Sequence, residues 1–144
     1  MADFSGIRLL VFRIADLMCA VEVHAVREIG PVPRATRIPG AAGPVDGLVN
    51  VRGELVPLVD GARLLARTAR PGDQTMVLLT HAARGVGLVV DEVLDLFAVP
   101  PDDLSDREGL PGLDPRLVRA VGHRGGRTFV LLDLEALLGP ILTT

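Results

Sequence analysis

The chain carries one structural unit twice. Ala20-Val21-Glu22-Val23-His24-Ala25-Val26-Arg27-Glu28-Ile29 aligns without a gap on Gly87-Leu88-Val89-Val90-Asp91-Glu92-Val93-Leu94-Asp95-Leu96. A pair of prolines follows each stretch, Pro31/Pro33 and Pro100/Pro101. Further on, Val49-Asn50-Val51-Arg52-Gly53 matches Val121-Gly122-His123-Arg124-Gly125. After one inserted residue, Leu58-Val59-Asp60 and Leu64-Leu65 match Leu131-Leu132-Asp133 and Leu137-Leu138. Shared order of turn, proline, Arg-Gly, Asp and Leu-Leu marks a duplicated supersecondary unit. Each half reads as hairpin, helical turn with an acidic residue, proline kink, loop, hairpin, Asp, short helix.

Short runs of Val, Leu and Ile separated by turn residues predict strands. In the first half they fall at Arg8–Ile14, Leu17–Val23, Glu28–Val32, Leu48–Val51 and Leu55–Asp60. In the second they fall at Thr75–Thr80, Gly85–Val90, Leu94–Val99, Leu117–His123 and Thr128–Asp133. Ala15-Asp16, Arg52-Gly53-Glu54, Ala82–Arg84 and Arg124–Arg127 are tight turns that imply four hairpins. Ala62–Arg67 and Leu134–Leu138 read as helices too short to stand alone. Five short strands per unit hide their edges best by curling into a small barrel. The expected fold is therefore mostly β: two small five-stranded barrels, at residues 8–67 and 75–138, joined by Thr68–Asp73. About 70 residues per half is marginal for independent stability, so the halves should share a core.

Composition excludes several functions. The chain is 49% hydrophobic, enough for a sizeable core. No apolar run reaches the roughly 18 residues that span a bilayer, so direct membrane insertion is not expected. Met1–Gly6 lacks the pattern of a signal peptide, and a cytoplasmic location follows as an expectation. A net charge of −3 gives no general attraction to nucleic acid, and no Trp or Tyr is present to stack on bases. All fifteen basic residues are Arg, which removes Schiff-base and P-loop lysine chemistry. The single Cys19, in the apolar run Leu17-Met18-Cys19-Ala20-Val21, reads as a buried structural thiol.

Chemistry-bearing residues are scattered. His24, His81 and His123 show no metal-ligand spacing, so neither metal nor cofactor is expected. No G-x-S-x-G is present. Ser5 and Ser105 fall in the N-terminal segment and an acidic loop, so no catalytic residue is assigned and the chain is not read as an enzyme. Asp91-Glu92 point to opposite faces of a strand. Asp102-Asp103 and Asp106…Glu108 lie in a polar loop, Asp102 to Pro115, where solvated charge suffices. Gly85-Val86-Gly87 lacks the rest of a dinucleotide loop and suggests close backbone approach. Pro57 inside a strand argues for an edge position. Asn50 and Arg52 interrupt an otherwise buried-looking strand, and Glu28 is the natural partner of Arg52.

These residues carry a family resemblance. Gly47-Leu48-Val49-Asn50-Val51-Arg52-Gly53-Glu54-Leu55-Val56-Pro57-Leu58-Val59-Asp60 resembles the signature of CheW-type chemotaxis adaptors. Val26-Arg27-Glu28-Ile29, Val86 to Val93, and Leu132 to Leu138 resemble further family motifs in order and spacing. The resemblance spans roughly Arg8 to Leu138. It implies two SH3-like five-stranded β-barrels with strands exchanged between the halves. It also implies a non-catalytic adaptor that links the cytoplasmic hairpin tip of a chemoreceptor to the regulatory domain of a CheA-type histidine kinase, recruited to receptor arrays at the inner face of the membrane. By position, Val26, Glu28, Gly47, Asn50, Arg52, Val93 and Leu96 would line or support a receptor groove between the barrels, with Glu28 and Arg52 as a structural ion pair. Glu28 and Asp95 would sit in equivalent acidic helical turns flanked by apolar Val26, Ile29, Val93 and Leu96, so that Val93→Asp should block receptor binding selectively. Gly61 departs from the family's usual Leu and suggests a weaker helix there. The chain's length favours a stand-alone adaptor over a domain of a larger kinase. A small-barrel ligand-binding protein unrelated to chemotaxis is the alternative reading.

Overall fold

The computed structural model describes residues 6–41, 43–106 and 112–142. Ser5 and Glu108, considered above, lie outside them. The first half contributes β1 (Ile7–Ile14), β2 (Leu17–Glu22), β3 (Val26–Pro31), β4 (Val45–Val51), β5 (Glu54–Asp60) and the four-residue helix α1 (Gly61–Leu64). The second contributes β6 (Thr75–His81), β7 (Arg84–Val90), β8 (Glu92–Val99), β9 (Leu104–Asp106), β10 (Val118–Arg124), β11 (Arg127–Leu132) and α2 (Leu134–Leu142). The protein is mostly β. All four expected hairpins form, between β1 and β2, β4 and β5, β6 and β7, and β10 and β11.

The strands build two sheets, ordered β8-β1-β2-β11-β10-β9 and β3-β6-β7-β5-β4. Each half thus places its first hairpin in the sheet made by the rest of the other half. The repeat is visible in the registers. Val26 faces Leu79 and Glu28 faces Leu78, with the ladder slipping at Arg27. Val93 faces Phe12 and Asp95 faces Val11, with the same slip at Leu94. The parallel contacts match as well, with Leu58 opposite Gly87 in one sheet and Leu131 opposite Ala20 in the other.

Strand exchange explains why the apolar runs are continuous rather than alternating. Alternate residues of a strand point to opposite faces, and here both faces are covered. On β1, Leu9 and Val11 join a core belonging to the six-stranded sheet, whereas Leu10, Phe12 and Ile14 join a large cluster shared by both sheets. On β6, Met76 and Leu78 enter the core of the five-stranded sheet, and Val77 and Leu79 enter the shared one. Helix α2 covers that shared core with Leu137, Leu138 and Leu142.

Four details differ from the sequence reading. β9 is an additional strand in what read as a polar loop; its three residues Leu104, Ser105 and Asp106 pair with the edge of β10. The second hairpins align without an inserted residue. Val51 pairs with Glu54 and Arg124 with Arg127, so Arg52-Gly53 corresponds to Gly125-Gly126. All four turn residues have the positive φ that a two-residue hairpin of this twist requires. Pro57 is not on an edge strand, because β5 lies between β7 and β4. Its parallel ladder with β7 covers only Leu58, Val59 and Asp60, so no donor is needed at Pro57 on that side. Finally, Gly85 and Gly87 make room for side chains rather than backbone. A Cβ would lie 2.9 Å from a Val56 methyl at Gly85 and 2.8 Å from the Met76 sulfur at Gly87.

The helices start at equivalent carboxylates. The amides of Ala62 and Arg63 donate to Asp60, and the amide of Ala136 donates to Asp133, satisfying first-turn groups that lack a helical partner. α1 is shorter than expected and begins two residues after Val59 in tight quarters. A Cβ at Gly61 would meet the Val89 carbonyl oxygen at 2.5 Å, which explains glycine there. α2 continues past the expected Leu138 to Leu142.

Cys19 is fully buried, and burial pushes its thiol up from 9.0 to about 12. The unfolded thiol ionises at its ordinary value while the folded one keeps its proton. Stability should therefore fall with rising pH between about 9 and 12, by at most about 1.4 kcal/mol per pH unit from this group, and be unaffected by it below that window. Urea titrations of wild type and Cys19→Ala across alkaline pH check this: the slope should be shallower in the variant.

Candidate functional site

The site begins at the two ends of the five-stranded order. β3 is one terminal strand and β4 the other. The β4–β5 turn carries Arg52 back to β3, where its Nη1 lies 2.5 Å from Glu28 Oε1. Beside it, Arg27 Nη1 lies 2.8 Å from Glu54 Oε1, and Arg27 Nε donates to Thr80 Oγ1. The hydrogen bond from Arg27 holds the Glu54 carboxyl below its ordinary pKa. Two ion pairs thus join the terminal strand β3 to the β4–β5 hairpin.

Other motif residues shape this hairpin. Asn50 Oδ1 accepts the amide of Gly53 at 2.8 Å, bracing the turn in which Arg52 takes its positive φ of 51°. Gly47, at φ 151°, allows the segment at Thr36 to bridge to Leu48. A Cβ at Gly47 would fall 2.3 Å from the Thr36 carbonyl oxygen. Arg52 is mostly exposed and Glu28 half-buried.

Val26 and Val93 lie in different sheets, at equivalent places on β3 and β8, and both are half-buried against the shared core. Leu96 differs: it is 52% exposed, and its equivalent Ile29 is 44% exposed. Glu28 and Asp95 occupy strands at these ladder slips, not helical turns. The strands that pair with them, β6 and β1, come from the opposite half, a partnership that local sequence cannot display. Thus the structure joins Glu28, Arg52, Asn50 and Gly47 around one hairpin, while Val93 and Leu96 stand on the other sheet.

A similar acid–arginine contact, which motif reading missed, stands on the six-stranded sheet, although its arginine occupies the position of Val51 and not that of Arg52. Arg124 Nε lies 3.7 Å from Asp95 Oδ2, and its guanidinium carbon sits 3.9 Å from the centre of the Phe97 ring. Phe97 meets Phe129 edge-on, with ring centres 5.8 Å apart. Phe129 covers Gly122, where any Cβ would strike its ring. The equivalence of Glu28 and Asp95 in the repeat was the signal for this pair.

Asp91, Arg13 and the three histidines also have partners. Asp91 is buried and accepts the amide of Ala15, which holds a positive φ in the β1–β2 turn. Arg13 bridges Asp91 and Glu92, each at 3.3 Å. His24 contacts Glu22, His81 contacts Glu135, and His123 contacts Thr128. Among the described residues, no group of three His, Cys, Asp or Glu side chains could hold a metal ion.

Comparison with known proteins agrees with this architecture. Residues 8–141 match the family model of the CheW-like domain. The chain is 33% identical over 134 residues to the chemotaxis protein CheW of Rhizobium meliloti, covering 91% of this chain and 86% of that protein. It is 31% identical over 118 residues to protein PilI of Pseudomonas aeruginosa, covering 78% and 65%. Its fold is similar to the crystal structure of the scaffolding protein TtCheW from Thermoanaerobacter tengcongensis, with a TM-score of 0.83, 18% identity and 90% of each chain covered. With a family match that takes in both sheets and every residue of the Glu28–Arg52 hairpin site, the chain belongs to the CheW-like family.

Proposed function

We propose that this protein is a non-catalytic chemotaxis adaptor, one that holds the cytoplasmic hairpin tip of a chemoreceptor and the regulatory domain of a CheA-type histidine kinase at the same time. It would work in the cytoplasm, at receptor arrays on the inner face of the membrane, without a cofactor. The observation that carries this reading is the exposed Arg52–Glu28 pair. It joins the terminal strand β3 to the β4–β5 turn, and Arg52 sits in the stretch that resembles the family signature. A receptor tip is a helical hairpin, so its receiving surface needs apolar side chains that reach solvent beside a fixed polar frame. Ile29 on β3 and Leu96 at the equivalent place on β8 are such side chains; Gly47 and Asn50 brace the Glu28–Arg52 frame, and Val26 and Val93 anchor β3 and β8 on the shared core.

An exposed ion pair contributes only about 0–1 kcal/mol to stability, so the pair's value lies in shape. Arg52→Ala should weaken binding of a receptor signalling fragment about tenfold while urea unfolding shifts by less than ~1 kcal/mol. Titrating wild type and variant with that fragment, and separately with the kinase regulatory domain, tests the reading. Equal receptor affinity in the two proteins would remove Arg52 from the site. No binding of either partner by the wild type would overturn the adaptor function itself.

A further inference from the structure

Two adjacent residues of β3 reach the same hairpin. On a regular strand, neighbours point to opposite faces, yet Glu28 meets Arg52 and Arg27 meets Glu54. The ladder slip between Val26 and Glu28 makes this possible, because a bulge adds a residue to one strand and re-aims its side chain. Arg27 is the added residue. Its guanidinium fastens three strands: Nη1 lies 2.8 Å from Glu54 Oε1 on β5, and Nε donates to Thr80 Oγ1 on β6 at 2.6 Å. The amide of Gly85 on β7 donates to the same Glu54 carboxylate. A Cβ at Gly85 would lie 3.2 Å from Arg27 Nη1 and 3.0 Å from Glu54 Oε2, so glycine leaves room for the pair. The equivalent gap in the six-stranded sheet has no such clasp. Matching the registers puts Leu94 at the place of Arg27, Arg127 at that of Glu54, Arg13 at that of Thr80 and Met18 at that of Gly85. The bulge is duplicated, but its charge is not.

We infer that Arg27 is a positioning residue of the receptor site: by tying β3 to Glu54 and Thr80, it fixes the β4–β5 turn so that Arg52 lies on Glu28 before a partner arrives. Arg52 is mostly exposed, stands on a two-residue turn and makes a single ion pair, which alone would hold it weakly. Asn50 braces the turn from within, at the Gly53 amide, and Arg27 anchors it from outside, at Glu54. A frame fixed beforehand loses less freedom on binding, so the clasp acts on affinity through Arg52. Arg27 and Glu54 are themselves partly exposed, so the pair adds little to stability. The receptor consequence rests on the adaptor reading; the fixing of the turn does not.

The test compares the full chain with Arg27→Leu, Arg27→Lys and Arg119→Leu. Leu is the residue that the second bulge carries, so the fold should accept it. Arg119→Leu removes the same charge away from the hairpin, where Arg119 meets Glu22. Amide hydrogen exchange followed by NMR reads the turn with no partner present. Exchange at Gly53 should quicken about fivefold in Arg27→Leu. Affinity for the receptor signalling fragment should fall about fivefold, while affinity for the kinase regulatory domain stays unchanged. Arg27→Lys, which keeps a charge within reach of Glu54, should restore most of both losses, and Arg119→Leu should match wild type in both. Unchanged Gly53 exchange in Arg27→Leu would overturn the clasp. Faster exchange with unchanged receptor affinity would overturn its role at the receptor site, and equal loss of both affinities would make Arg27 merely structural. A wild type that binds no receptor fragment would overturn the adaptor reading and the receptor role of Arg27 with it, while Gly53 exchange would still decide whether Arg27 fixes the turn.

Discussion

Phe12→Ala should cost about 3–5 kcal/mol and should weaken the two halves as one. Phe12 is fully buried in the cluster that draws on both sheets. Truncation removes most of an aromatic side chain from close-packed surroundings and leaves a cavity that flanking strands cannot fill without breaking ladders. Because β1 belongs by sequence to the first half and by hydrogen bonding to the sheet of the second, neither sheet is complete without the other half's hairpin. Urea unfolding followed by far-UV circular dichroism, and by probes placed in each half, should give coincident transitions in wild type and variant. Phe12→Leu, a milder change, should show the same coincidence if the Ala variant is too unstable to study. Two separated transitions would show that the sheets fold independently.

Leu96→Asp should weaken receptor-fragment binding about thirtyfold or more, the loss expected for a hot spot of ~2 kcal/mol, while kinase-domain affinity and folding stay near wild type. A half-exposed Leu on a terminal strand loses little on exposure to water, so the folded state tolerates Asp. A carboxylate there must be desolvated if an apolar helix is to cover it. Val93→Asp is a poorer probe than the motif suggested. Its side chain packs on the shared core, so the charge would damage the fold along with any binding surface. Paired titrations of Leu96→Asp with the receptor fragment and the kinase regulatory domain make the measurement. Loss of both affinities in a folded variant would mean that the two surfaces overlap.

The local units were legible in the chain itself. Two-residue turns, apolar runs and the carboxylates Asp60 and Asp133 placed four hairpins and both helix starts, because each depends on neighbours in sequence. The duplication exposed the equivalence of Glu28 and Asp95, and the signature stretch pointed to Arg52. Partnership between distant strands was not legible in the apolar runs themselves; strand exchange entered only as an implication of the family resemblance. Runs such as Leu9–Phe12 and Met76–Leu79 are apolar at every position, so they show burial on both faces without showing which neighbour covers each face. Only the tertiary structure decided that β1–β2 and β6–β7 cross into opposite sheets. Only it recruited Leu104–Asp106 as a strand, by offering the open edge of β10, and freed Pro57 from an edge by starting the β7 ladder one residue later. It likewise placed Glu28 on a terminal strand within reach of Arg52, since the cost of bringing such remote segments together is recovered in packing that no local stretch of sequence contains.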